Sequence, residues 1–136
     1  MDDFHRKTRS RDGRQARCKP CNIAAQKRVH AENPELCRQR ISRRARRLSD
    51  LLRGLLFDYL CQHPCVDCGE ADPVVLDFDH VRGNKVANVS ALVFGLKKWQ
   101  TVLDEIDKCE VVCANCHRRR TARRANSFRL RRQRNQ

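Results

Sequence analysis

Four cysteines fall into two pairs of the same spacing, Cys65-x2-Cys68 and Cys113-x2-Cys116, separated by residues 69–112. Two thiolates two residues apart can share one metal, because a tight turn aims both sulfurs inward, and Gly69 permits that turn. Two such pairs complete the four-thiolate set of a tetrahedral zinc. Between them, "VVLDFDHVRGNK" (Val74–Lys85) is an apolar strand pattern that ends in Asp77, Asp79 and His80. "CEVVCANCHRRR" (Cys109–Arg120) is a second short apolar strand, ending in two cysteines and His117. A carboxylate and an imidazole make a half-filled site for a hard or borderline divalent cation. A further imidazole left off the metal, His80, can take a proton from water near neutral pH. A third pair, Cys18-x2-Cys21, has no second pair to face it. It could hold a second metal or be two reduced thiols; His5 and His30 do not stand at standard ligand spacing.

These side chains need elements to hold them. Residues 61–117 are too few for a robust core, so a metal staple is expected there. Strands are predicted at 74–79 and 109–112. Alternation sends Asp77 and Asp79 to one side and His80 to the other. Asp79 and His80 therefore share a site only if the strand ends or bulges, and Arg82-Gly83 is where it could end. The second cysteine pair opens a helix that runs to about residue 125, which brings His117 and Asn115 toward His80. Helices are also predicted at 89–94 and 98–107, the latter from Trp99, Val102, Leu103 and Ile106 at 3.6-residue spacing.

Upstream, residues 22–33 read as a helix. Pro34 interrupts it, and Asn33 caps a long helix over 35–62. The stripe of that helix is Ile41, Ala45, Leu48, Leu52, Leu55 and Tyr59, and its second half, from Leu51 on, is expected to pack on the centre. The opposite face of its first half carries Arg38, Arg40, Arg43, Arg46 and Arg47, suited to a nucleic-acid backbone. His63 beside Pro64 closes the helix as a cap. Residues 1–17 read as irregular and basic with a turn at Asp12-Gly13, within an N-terminal segment 1–34; residues 125–136 read as a basic tail. Cys37, Cys61 and Cys109 are expected to be small buried hydrophobes.

The charge is segregated. Residues 1–60 hold 16 Lys+Arg against 7 Asp+Glu, residues 61–117 hold 5 against 9, and residues 118–136 hold 9 against none, giving the net +14. Basic flanks favour a polyanionic partner, and an acidic centre suits a site that holds a cation. No apolar run is long enough to span a bilayer, and the first residues have no signal-peptide h-region. With paired spacing as well, reduced metal-binding thiols in an intracellular, cytoplasmic protein are the expectation.

Taken together, "CVDCG…VLDFDHVRGNK…EIDKCEVVCANCHRRRT" resembles the HNH endonucleases of phage or mobile-element type, with a ββα-metal (His-Me finger) site and the zinc-stabilised subtype with two C-x2-C pairs. The resemblance covers about residues 61–124. It implies an α+β fold in which a small zinc-stapled nuclease core follows the long basic helix between basic arms. It also implies a phosphodiesterase acting on DNA, duplex above all, alone or within a larger nucleoprotein assembly. Carried over, His80 is the general base, and Asp79 and His117 hold Mg2+ or another divalent cation. Cys65, Cys68, Cys113 and Cys116 hold structural Zn2+. Arg82, Arg118, Arg119, Arg120, Arg123 and Arg124 join the arginines of the long helix as DNA contacts. The family's middle asparagine is missing, since Lys108 stands at its position; Asn115 is the nearest substitute and Asn84 another. Similar N-terminal segments in phage-type relatives carry an upstream C-x2-C that would complete a site with Cys18 and Cys21. The competing reading is a catalytically inactive zinc module that binds nucleic acid, and a protein-interaction scaffold is a third.

Overall fold

The computed structural model describes residues 3–134; the outermost residues of both basic arms, 1–2 and 135–136, lie outside them. The chain is of mixed α+β character with two small antiparallel sheets. It divides after Arg44, inside a long helix, into a unit up to Arg44 and a unit from Ala45 on.

The N-terminal segment is not irregular. Strand β1 (Phe4–Arg6) pairs antiparallel with β2 (Arg14–Cys18). The expected turn is present between them: Gly13 sits at φ +69°, a conformation open to glycine, and its N–H donates to the Ser10 carbonyl. The strands escape a reading by pattern because FHR and RQARC lack apolar alternation, and none of their residues is buried. Helix α1 (Lys19–Glu32) starts directly from β2, with Cys18 as its N-cap and Pro20 in its first turn, three residues earlier than predicted. Helix α2 spans Pro34–Gln62. Its i→i−4 ladder begins with the Cys37 N–H, which donates to the Asn33 carbonyl.

From Ala45 on, α2 buries only part of its stripe. Leu52 is 2% exposed, whereas Leu55 and Tyr59 are half-buried and Leu48 is exposed. His63 closes the helix as expected: its ring stacks on Tyr59 at 3.9 Å and Nδ1 lies 2.7 Å from the Tyr59 carbonyl. A 3-10 turn at Pro73–Val75, capped by Asp72, leads into β3 (Leu76–His80). Helices α3 (Val89–Phe94) and α4 (Trp99–Ile106) follow, then β4 (Cys109–Cys113) and α5 (Ala114–Arg124). Strands β3 and β4 pair antiparallel without a break, from Leu76 opposite Cys113 to His80 opposite Cys109. The predicted tail contains a further helix, α6 (Phe128–Arg134). Asn126, at φ +42°, breaks it from α5, and the Ser127 hydroxyl accepts the Leu130 N–H at 3.5 Å.

Two apolar clusters hold this unit. One gathers Leu52, Val89, Leu92, Val93, Val102, Ile106 and Cys109. The other gathers Cys65, Leu76, Val111, Val112, Cys113 and Cys116. Cys109 is thus the buried thiol expected, whereas Cys61 is exposed and Cys37 half-buried. The second cluster contains three aliphatic residues, Leu76, Val111 and Val112. At roughly 1.5–3 kcal/mol each they supply about 5–9 kcal/mol before chain entropy is subtracted. A bound structural zinc is worth about 10–16 kcal/mol, so a metal on the cysteines would dominate this end of the unit. No helix among the described residues is long and apolar enough to cross a membrane.

Candidate functional site

The sulfurs of Cys65, Cys68, Cys113 and Cys116 lie within 4.8 Å of one another. The chain builds the two halves differently. The first is a turn: the Gly69 N–H donates to the Cys65 carbonyl at 2.9 Å with Gly69 at φ +78°, and the Cys65 N–H donates to the Glu70 carbonyl at 2.8 Å. The second is a strand-to-helix corner, where Cys113 caps α5 and its Sγ accepts the Cys116 N–H at 3.4 Å. The donors fit zinc. Zn–S bonds of about 2.3 Å in a tetrahedron set the sulfurs about 3.8 Å apart, and Cys68 and Cys113 stand at 3.7 Å. Burial opposes ionisation of Cys65, but N–H groups of Cys113, Asp67 and Cys68 outweigh it and hold the thiol down at about 6. Burial, with the neighbouring thiols, pushes Cys116 up to about 12. A divalent cation would let all four sulfurs ionise together.

Beside this cluster, alternation along β3 gives two faces. Asp77 and Asp79 meet α5. His117 Nδ1 lies 3.4 Å from Asp77 Oδ2, and His117 Nε2 lies 3.6 Å from Asp79 Oδ1. Asp79, 2% exposed, also receives both terminal nitrogens of Arg124 at 2.7 Å and Arg120 at 3.1 Å. Arg124 above all holds the Asp79 carboxyl below its ordinary range, against its burial. A cation bound at about 2.1 Å to both Asp79 and His117 needs donors no more than about 4.2 Å apart. The pair meets that distance, with the guanidinium of Arg124 already neutralising the carboxylate.

His80 lies on the other face. β3 ends at His80, paired with Cys109 and without a bulge, and alternation keeps His80 off the face that carries Asp79. Instead His80 Nε2 lies 2.9 Å from Glu105 Oε1 on α4. The two faces still meet at one opening: a cleft of about 280 Å³ is lined by Asp77, His80, Asn88 and His117 among others. Asn115 is not there. It is exposed on the first turn of α5, along a groove that also takes in Arg118, Arg119, Arg123 and Arg129.

The arginines sort into tied and free. Arg82 donates to the carbonyls of Asp107 and Cys109, fixing the chain where β3 ends. Arg120 is locked to Asp67 at 2.6 Å and to Glu110 at 2.7 Å. Arg124 holds Asp79, and Arg38 pairs with Glu35 at 2.8 Å. Arg40, Arg43, Arg46 and Arg47 are exposed on α2, and Arg118 and Arg123 on α5; Arg119 is exposed as well, but its Nη1 donates to Cys116 Sγ at 3.9 Å. Cys18 and Cys21 stand at the start of α1 with no third metal-binding side chain, since among the described residues only the four-cysteine cluster gathers three or more.

Glu105 was not found by sequence reasoning. It is 2% exposed. The signal was available: the stripe of α4 runs through Val102 and Ile106, so Glu105, three residues after Val102, sits on the inner face where a carboxylate needs partners. No family model matches this chain, and no curated protein or solved structure matches it.

Proposed function

We propose that residues 61–124 form a metal-dependent DNA endonuclease of the HNH, ββα-metal type, with zinc as a structural ion. The observation that carries this reading is the β3–β4–α5 arrangement: it sets His117 Nε2 3.6 Å from Asp79 Oδ1 and opens onto a cleft shared with His80. In this reading His80 accepts the proton of the attacking water, because one ring nitrogen is held by Glu105 and the other is left for solvent. Asp79 and His117 would hold a divalent cation, which stabilises charge developing on phosphate oxygens. Arg118, in a groove with Asp77 and His117, binds a backbone phosphate beside the site, and Arg119 and Arg123 bind phosphates further along α5. Arg120 keeps α5 in place through Asp67 and Glu110, fixing the height of His117 above β3.

A second reading, a zinc module that binds nucleic acid without cutting it, is favoured by one observation: both Asp79 oxygens already carry guanidinium nitrogens. Incubation of the full chain with supercoiled plasmid and Mg2+, Mn2+ or no metal separates the two. The nuclease reading expects nicked or linear product only with metal. It also expects His80→Ala to cut roughly 100- to 10,000-fold more slowly while keeping zinc and DNA binding. Undiminished cutting by His80→Ala overturns the role of His80, and DNA binding without any cutting selects the second reading.

A further inference from the structure

We infer that Glu105 is a positioning residue for His80, holding the imidazole by its Nε2 edge so that Nδ1 is the nitrogen presented to water. This rests on the nuclease reading and names a part of that site which the sequence did not reveal.

The carboxylate is built into the structure from four directions. Oε1 lies 2.9 Å from His80 Nε2 and accepts the N–H of Val86 at 2.9 Å and of Ala87 at 3.4 Å. Oε2 accepts Lys108 Nζ at 2.8 Å, and Nζ also donates to the Asn84 carbonyl at 3.0 Å. A buried carboxylate is costly unless its charge is balanced and its lone pairs are filled. Lys108 supplies the charge and the two amides fill much of the rest, so the oxygen that meets His80 is fixed whether or not the ring is present. An acceptor fixed in this way selects the tautomer with the proton on Nε2 and restrains rotation of the ring.

The other edge of the ring is the informative one. His80 Nδ1 has no protein partner among the described residues. Every fully buried polar side-chain atom does have one, so Nδ1 is within reach of solvent. The residue lines the cleft that also takes in His117 and Asp77. A histidine used only to fill a polar hole would satisfy both ring nitrogens. This one is held on one side and left open on the side where water enters. Lys108 and Glu105 are on the turn and helix that precede β4, and Val86, Ala87 and Asn84 are on the loop after β3. The same carboxylate therefore meets both the loop and the ring, and His80 turns away only by giving up its contact with an oxygen that the loop already holds in place.

The test uses the full, zinc-loaded chain. Ring-nitrogen NMR of metal-free His80 at a pH where the ring is neutral should show the proton on Nε2. In Glu105→Gln the kcat for plasmid with Mg2+ should fall roughly 100-fold or more with KM nearly unchanged, since the group acts on orientation and not on DNA binding. If Glu105→Gln fails to fold, the tautomer of the wild-type ring decides the matter: a proton on Nδ1 overturns the inference. Wild-type cleavage with Glu105→Gln equally fast also overturns it and leaves the nuclease reading standing. A wild-type chain that binds DNA but never cuts it takes down the nuclease reading, and this role with it.

Discussion

Cys18-x2-Cys21 and Cys113-x2-Cys116 are the same local structure met twice. In each, a strand ends at the first cysteine, that cysteine caps the next helix, and the second cysteine sits in the helix's first turn. The Cys113 sulfur accepts the Cys116 N–H at 3.4 Å, whereas the Cys18 side chain makes no cap bond, although the nearby Cys21 N–H lowers its thiol below the ordinary value. What differs most is what arrives from elsewhere in the chain. Cys113 and Cys116 meet Cys65 and Cys68, and each is 6% exposed. Cys18 meets Cys21, which is exposed, and no second pair of thiols. Short-range sequence is enough to make the corner. A metal site also needs a second pair of donors and a core that brings them together, and every buried residue among those described lies at Leu52 or beyond.

The comparison is broken most violently at its closed member. Cys113→Ala removes one of four thiolates, the cap of α5 and a buried member of the second cluster at once. The three aliphatic residues left in that cluster offer about 5–9 kcal/mol of burial, less than the metal's share, so the variant should lose zinc and cooperative unfolding together. Cys18→Ala should do neither. Zinc content by elemental analysis and thermal melts read by circular dichroism check both; a folded Cys113→Ala chain with undiminished zinc would remove the four-thiolate site.

The contrast also marks what was legible. Knuckles, strand pattern and helix periods are short-range, and α2, α3, α4, β3, β4 and α5 stand close to their predicted spans. The hairpin of β1 and β2 was missed because its residues carry no apolar alternation to read. α6 was missed because its one signal is Ser127 after a break at Asn126. The candidate site was legible where short-range spacing carries it, in the two cysteine pairs that gather into one cluster. It was illegible where partners are distant in sequence: Glu105 stands against His80, and Arg124 against Asp79, only once β3, α4, β4 and α5 have packed. Lys108, which stands where the proposed nuclease reading would expect an asparagine, acts in three dimensions as the counter-ion of Glu105.

A smaller effect is expected on α5, whose His117, Arg120 and Arg124 lie toward β3 while α1 faces no such acidic strand. On the nuclease reading, a divalent cation must compete with Arg124 for Asp79. Arg124 is half exposed, so its pairing is worth on the order of 1 kcal/mol rather than the value of a fully buried pair. Arg124→Gln should therefore bind Mn2+ about fivefold more tightly, with Arg120 still holding Asp79. Titration followed by electron paramagnetic resonance reads this without any cleavage assay; unchanged or weaker binding would mean that Asp79 is not the group the ion meets.

The smallest effect belongs to the open pair. Replacing both Cys18 and Cys21 by serine should leave zinc content and the melt of the unit from Ala45 on where they are in the wild type. Two thiols supply half of a tetrahedral set, and no third donor gathers with them among the described residues. The corner itself should survive, because a serine hydroxyl is a better helix cap than a thiol and can accept the same N–H. Reactivity should distinguish the pairs before substitution does. The Cys21 N–H lowers Cys18 while Cys18 raises Cys21, so Cys18 is the more ionised of the two at neutral pH. It should react with iodoacetamide well before Cys113 and Cys116 in zinc-loaded protein, as peptide mapping would show. If the double serine variant instead carried about half a zinc fewer per chain, one ion for every two chains, the missing donors would have to come from another copy. Zinc-dependent association in sedimentation, absent in the variant, would then show that the open pair is a closed site shared between two chains.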